Sequence, residues 1–148
     1  MYINYLDLPK IPEKLLHRLD EIPSLQPDSG LANDYVINNV SCKPELHDWV
    51  RDTFKLALFK CNYMLIRSSV NIHKDRGRAL AINYVLNPGG SNVVTSVYTD
   101  DLQLLEEKQI ESYRWHTLPT LRYHGITGIN PSDTRILVSV TPINDRTI

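Results

Sequence analysis

Apolar residues recur with two different periods along the chain, and the change falls near residue 61. Before it, Ile11, Leu15, Leu16, Leu19 and Ile22 return at three- and four-residue steps. With Pro12 at a first-turn position and Pro23 at the end, this spacing predicts a short amphipathic helix over 12–22. Pro44 opens a longer helical pattern over 44–60, in which Leu46, Trp49, Val50, Thr53, Leu56, Ala57 and Lys60 mark one broad face. Glu45 and Asp48 in its first turn and Lys60 in its last suit the helix dipole. Between the two, 24–43 contains Pro27, Gly30 and several Asn and Asp residues and reads as a loop with a short strand near 35–37.

From Asn62 the pattern becomes strand-like, with runs at 63–66, 70–73, 80–86, 92–98, 111–115, 122–126 and 134–140 bounded by Gly, Pro, Asn and Asp. Segment 102–110 fits a strand or a helical turn. Helices followed by seven or eight short strands predict an α+β fold, a β-sandwich or jelly-roll barrel with the N-terminal helices packed on one sheet. Alternation within 80–86 places Leu80, Ile82, Tyr84 and Leu86 under the helices and turns Ala81, Asn83 and Val85 to the barrel interior.

At 148 residues the chain has the usual size of one domain, 1–148, divided into helical support over 1–61 and a β core over 62–142. A hydrophobic content of 42% and a net charge of -1 carry no disorder signature and no strong nucleic-acid-binding signature. The N-terminus does not read as a secretory signal and no apolar run is long enough to span a membrane, so a cytoplasmic protein is expected. Cys42 and Cys61 have no metal-type spacing and read as two reduced thiols.

The candidate chemistry lies in His73-Lys74-Asp75. Side chains two apart on an extended segment point to the same side, so His73 and Asp75 can share one metal ion. A third ligand from a distant strand would complete two histidines and one carboxylate on one face of an octahedron, with the opposite face open. His124 is the candidate for that ligand and His116 its competitor. Arg135 sits in an apolar strand where an unpaired guanidinium is costly to bury. A ligand carboxylate resolves that cost, as would a structural Asp or Glu, or a place at the strand's wet end. Lys74, Arg76 and Arg78, with Arg114 and Arg122, read either as steering for an anionic substrate or as a solvated charged surface. Trp49 and Trp115 read as core.

The order of these features resembles the Fe(II)- and 2-oxoglutarate-dependent dioxygenases, whose double-stranded β-helix carries a His-Xaa-Asp pair, a distal His and a basic residue about ten positions later. His73 and Asp75 match the pair and His124 the distal ligand, while Arg135, eleven residues on, matches the basic residue. Asn83 to Asn87 followed by Pro88-Gly89-Gly90 is similar to the family's third strand and Gly-Gly turn. The match covers 62–142 and is similar in scale to the compact bacterial and phage-encoded members.

The resemblance implies Fe(II) held by His73, Asp75 and His124, with 2-oxoglutarate as cosubstrate and O2 as oxidant. It implies hydroxylation of an unidentified substrate with release of succinate and CO2. Arg135 would bind the far carboxylate of 2-oxoglutarate. Asn83, which alternation turns to the interior, either adds a hydrogen bond to the cosubstrate or is a buried amide satisfied within the protein. His116 lies nineteen residues before Arg135, longer than the family gap, which favours His124 and leaves His116 near the entrance or partly exposed without a role. Two readings compete with the oxygenase. One is a differently metallated or non-catalytic cupin-like binding protein, although the chain lacks the clustered His-Xaa-His followed by Glu. The other is a structural domain in which His73, Asp75 and His124 are incidental.

Overall fold

Two antiparallel sheets face each other in a jelly-roll arrangement, and the one α-helix among the described residues lies outside them. The computed structural model describes residues 1–28, 34, 36–76 and 78–143. The chain forms strands β1 Asn4–Tyr5, β2 Ile37–Ser41, β3 Phe59–Ile66, β4 Val70–His73, β5 Ala81–Asn87, β6 Val94–Tyr98, β7 Leu104–Lys108, β8 Trp115–Leu118, β9 Tyr123–Thr127 and β10 Arg135–Pro142. Helix α1 is Pro44–Phe54. The larger sheet has the order β1-β8-β5-β10-β3-β2 and the smaller the order β4-β9-β6-β7. Among the described residues, no helix is long and apolar enough to cross a membrane.

The larger sheet is apolar on both faces, so its central strands read as nearly continuous buried runs. Ile82, Tyr84 and Leu86 of β5 join Val138 and Val140 of β10 on the outer face, where Leu46 and Val50 of α1 cover them. Ala81 and Val85 face the other way, with Leu137, Leu118 and Ile66, and pack between the sheets against Val97 of β6. This is the alternation expected for 80–86, except that Leu80 lies just before β5 and is exposed. Trp115 anchors the helix: Trp49 stacks on it at 6.4 Å between ring centroids and Phe54 meets it edge-on at 4.8 Å.

The fold is mostly β, and the expected pair of N-terminal helices is corrected. Residues 12–22 form only two 3-10 turns, Glu13–Leu15 and Ile22–Ser24, with Leu16 extended between them at φ -104° and ψ 146°. Ile11, Leu15, Leu16 and Ile22 nevertheless reach the core. The periodicity recorded contact with the core at four of its five positions, Leu19 being exposed, and a segment this short that ends against Pro23 gains too little from helix propagation to offset nucleation. Helix α1 stops at Phe54 because Lys55 turns left-handed at φ 56°, and Phe59 already begins β3. The region 1–61 also contains β1 and β2. Of the strand expected near 35–37, Tyr35 lies outside the described residues, and the observed strand runs on to Ser41. Segment 102–110 contains a strand, β7, and the strand expected over 111–115 instead begins at Trp115.

Candidate metal centre

Strands β4 and β9 pair antiparallel with His73 directly opposite His124, so the register alone brings the two imidazoles to one place. Their ring centroids are 4.4 Å apart. Gly125 permits the close approach of these strands, since a Cβ there would stand 3.0 Å from the carbonyl oxygen of Val70. Asp75 lies just beyond β4, tied by its backbone N–H to the carbonyl of Thr120 at 2.9 Å. Thr120 in turn donates its hydroxyl to the carbonyl of Arg78 at 2.6 Å. These bonds aim the Asp75 side chain back at the histidines.

Asp75 Oδ1 stands 3.2 Å from His73 Nε2 and 3.3 Å from His124 Nε2. One ligand atom from each of the three residues lies within 4.8 Å of the others. Both Nδ1 atoms are already engaged, His73 with the carbonyl of Asn71 at 2.7 Å and His124 with that of Arg122 at 2.8 Å. Nδ1–H donation to a carbonyl is the usual outer-shell bond of a metal-binding histidine, and it leaves the Nε2 lone pairs pointing at the carboxylate. Lone pairs on three converging atoms repel unless a proton or a cation lies among them. Two imidazole nitrogens and one hard carboxylate oxygen make a donor set that fits Fe(II) with open positions and not a closed structural zinc site.

Arg78 donates from Nε to Asp75 Oδ2 at 2.8 Å, leaving Oδ1 to face the histidines. When a proton on Nε2, and not a cation, lies at the centre, burial pushes the Asp75 carboxyl up, but hydrogen bonds from His124 and His73 and the charge of Arg78 outweigh it, so the group stays ionised far below the usual carboxylate range. Asp75 in turn raises the pKa of His73 through their hydrogen bond.

From this group a cavity of about 100 Å³ runs between the sheets, lined by His73, Asp75 and His124 at one end and by Asn83, His116 and Arg135 farther in. Arg135 is 2% exposed and donates Nη1 to the carbonyl of Pro88 at 3.1 Å, while its Nε finds no partner. Burial lowers its pKa to about 10, which leaves it charged at neutral pH. The Pro88-Gly89-Gly90 turn closes against it. Gly89 has φ +85°, and a Cβ there would come within 2.9 Å of the backbone nitrogen of Arg135. Asn83, on the interior face of β5 as expected, also has an unpartnered buried oxygen.

His116 is 3% exposed on β8, inside the larger sheet, and takes no place in the His73, Asp75 and His124 group. That corrects its expected position near the entrance: the strand containing it begins at Trp115, which turns into the outer core and sends the next residue inward. Of the other cations named from the sequence, Arg76 is exposed and has no ion pair among the described residues, and the rest have partners. Lys74 meets Asp100 at 2.8 Å, Arg114 pairs with Glu111, and Arg122 lies over the ring of Tyr2. Arg78 clamps Asp75, a role that the loop's charge did not suggest.

The fold is a double-stranded β-helix of the cupin type, and it contains a His-Asp-His group able to hold a metal. Solved structures share the fold. An Fe(II)-HppE with the alternative substrate (S)-1-HPP superimposes with a TM-score of 0.51 over 81% of this chain at 9% identity. Hazelnut (Corylus avellana) vicilin and a Lactobacillus farciminis oxalate decarboxylase formate complex each superimpose with a TM-score of 0.50 over 82% of it, at 12% and 10% identity. The chain spans 57% of the length of the first and 32% of the other two. No family model matches the chain, and no curated protein matches it in sequence.

Proposed function

We propose that this protein is an Fe(II)- and 2-oxoglutarate-dependent dioxygenase that hydroxylates a substrate yet to be identified, with release of succinate and CO2. The observation that carries the reading is Arg135. A charged guanidinium is buried in the same cavity as a two-histidine, one-carboxylate group, and among the described residues no carboxylate pairs with it. A free carboxylate on a ligand whose other end binds metal supplies the missing partner.

In this reading His73, Asp75 and His124 hold the metal and Arg78 fixes which carboxylate oxygen faces it. Bound iron supplies the means to couple oxidative decarboxylation of 2-oxoglutarate by O2 to attack on a C–H bond. Arg135 binds the far carboxylate and sets the depth of the cosubstrate, and the Asn83 amide adds a hydrogen bond beside it. Val70, Leu118, Ile126 and Leu137 form apolar walls that exclude water from the reacting groups. The His73 side chain is 41% exposed and that of His124 only 6%, so an incoming substrate meets the site at the His73 edge.

Anaerobic titration with Fe(II) and 2-oxoglutarate tests this directly. A saturable visible charge-transfer band that is lost on admitting O2, with succinate formed, is the expected result. His124→Ala or Asp75→Ala should abolish it in a chain that still folds. Arg135→Leu should keep iron binding and raise the 2-oxoglutarate requirement by about tenfold or more, the weight of a charge-assisted hydrogen bond. Retained metal with neither band nor succinate would identify a cupin-like binding protein instead.

A further inference from the structure

Three buried side-chain atoms around the cavity lack a partner, namely Asn83 Oδ1, His116 Nδ1 and Arg135 Nε. Buried polar atoms are nearly always satisfied, so three around one small cavity mark the surface of a ligand. His116 is the one without an assigned role. Its backbone pairs with Asn83 across β8 and β5, so the two side chains leave the same face of the sheet side by side. Its neighbour on the other flank is Tyr5 of β1, whose ring sits 6.5 Å away and edge-on. Arg135 is near enough that its charge, after burial, helps to keep the imidazole neutral.

We propose that His116 is a second anchor for the far carboxylate of the 2-oxo dicarboxylic acid bound by Arg135, a role that rests on the dioxygenase reading above. The chemistry is simple. Arg135 gives its Pro88 bond from Nη1 and retains Nε–H for the cavity. A neutral imidazole protonated on Nδ1 adds a second donor, and one carboxylate accepts from both. The pairing also removes the cost of two polar atoms left bare in a dry interior. His116 and Arg135 thus each leave a buried nitrogen without a partner on residues that line one cavity.

The test separates the carboxylate from the rest of the ligand. Wild type, His116→Leu and His116→Asn are titrated anaerobically, in the presence of Fe(II), with 2-oxoglutarate and with 2-oxobutanoate, which has the same 2-oxo acid end and no far carboxylate. The expected result is a loss of about tenfold or more in 2-oxoglutarate affinity for His116→Leu, the weight of a hydrogen bond to a charged group. Affinity for 2-oxobutanoate and for Fe(II) should not change. His116→Asn, which can donate from the same place and serves where the leucine variant does not fold, should retain most of the 2-oxoglutarate affinity. Equal losses for both ligands, or no loss for either, would overturn the role of His116 while the dioxygenase reading stands. Wild type that binds 2-oxoglutarate no better than 2-oxobutanoate would overturn both.

Discussion

A histidine buried beside an arginine makes stability depend on pH in one direction. His116 has its pKa pushed down to about 4, first by burial and then by the charges of Arg135 and Lys108. In the unfolded chain it titrates near its ordinary value of about 6.5. Between those values the unfolded state binds the proton and the folded state refuses it, so stability falls as pH drops through this window. The contribution is on the order of 3 kcal/mol at its full extent. Denaturation measured from pH 7 to 4 should show His116→Asn losing less stability than wild type over that range, whereas parallel curves would mean that the folded protein protonates His116 freely. Much of the site could be read residue by residue. His73 and Asp75 announced themselves by a two-residue spacing, His124 and Arg135 by their gap, and Asn83 by alternation. The Arg78 clamp on Asp75 and the Thr120 anchor behind it could not, because both depend on the shape of irregular loops, which leave no period in the sequence.

Between neighbouring strands, register decides chemistry. Strands β2 and β3 pair Ser41 with Asn62, which places Cys42 opposite Cys61 one step further on. Both are free thiols, and their sulfurs are 3.8 Å apart. Facing residues of an antiparallel pair are about 4.5–5.5 Å apart at Cα, within the span of a disulfide. The Cys61 hydrogen bond also lowers the pKa of Cys42, the more accessible of the two. Mild treatment with hydrogen peroxide should therefore yield an intramolecular disulfide, two thiols and one peroxide giving the bridge and two waters. The bridge should stabilise the chain by about 3 kcal/mol on loop entropy. Mass spectrometry and thermal melts would check it, and two persisting free thiols would contradict it. This pairing was invisible in the sequence because β2 was recognised only at its first residue, Ile37. The same limit explains the misread 12–22 segment: apolar spacing reported which side chains are buried, and the backbone met that demand with 3-10 turns.

At the scale of the whole molecule, the metal group joins an edge strand, the loop that follows it and the neighbouring strand. Strand β4 is largely exposed at Asn71 and Ile72 and lies at the edge of the smaller sheet. A cation held by His73, Asp75 and His124 would tie β4, the loop after it and β9 together. Saturation with Fe(II), or with Mn(II) in air, at a hundredfold excess over Kd should add about 2.7 kcal/mol. For a chain of this size that is a rise of roughly 5–10 °C in Tm. A chelator should reverse it, and Asp75→Ala should not show it. The jelly roll itself was legible as a run of short apolar segments cut by Gly, Pro, Asn and Asp, because strands buried on one face or both must end at turns on the surface. The division into sheets was not, since it is set by pairings far apart in sequence. One further consequence comes from the Pro88-Gly89-Gly90 turn. Gly89 packs against the backbone of Arg135 and the carbonyl of Pro88 accepts from its guanidinium, so peptide groups hold this side chain at both ends. The cation that faces the cavity is thus placed by main chain, and not by an exchangeable neighbour. Substitutions along the walls can change what fits beside Arg135, but moving the cation itself would require the turn to be rebuilt.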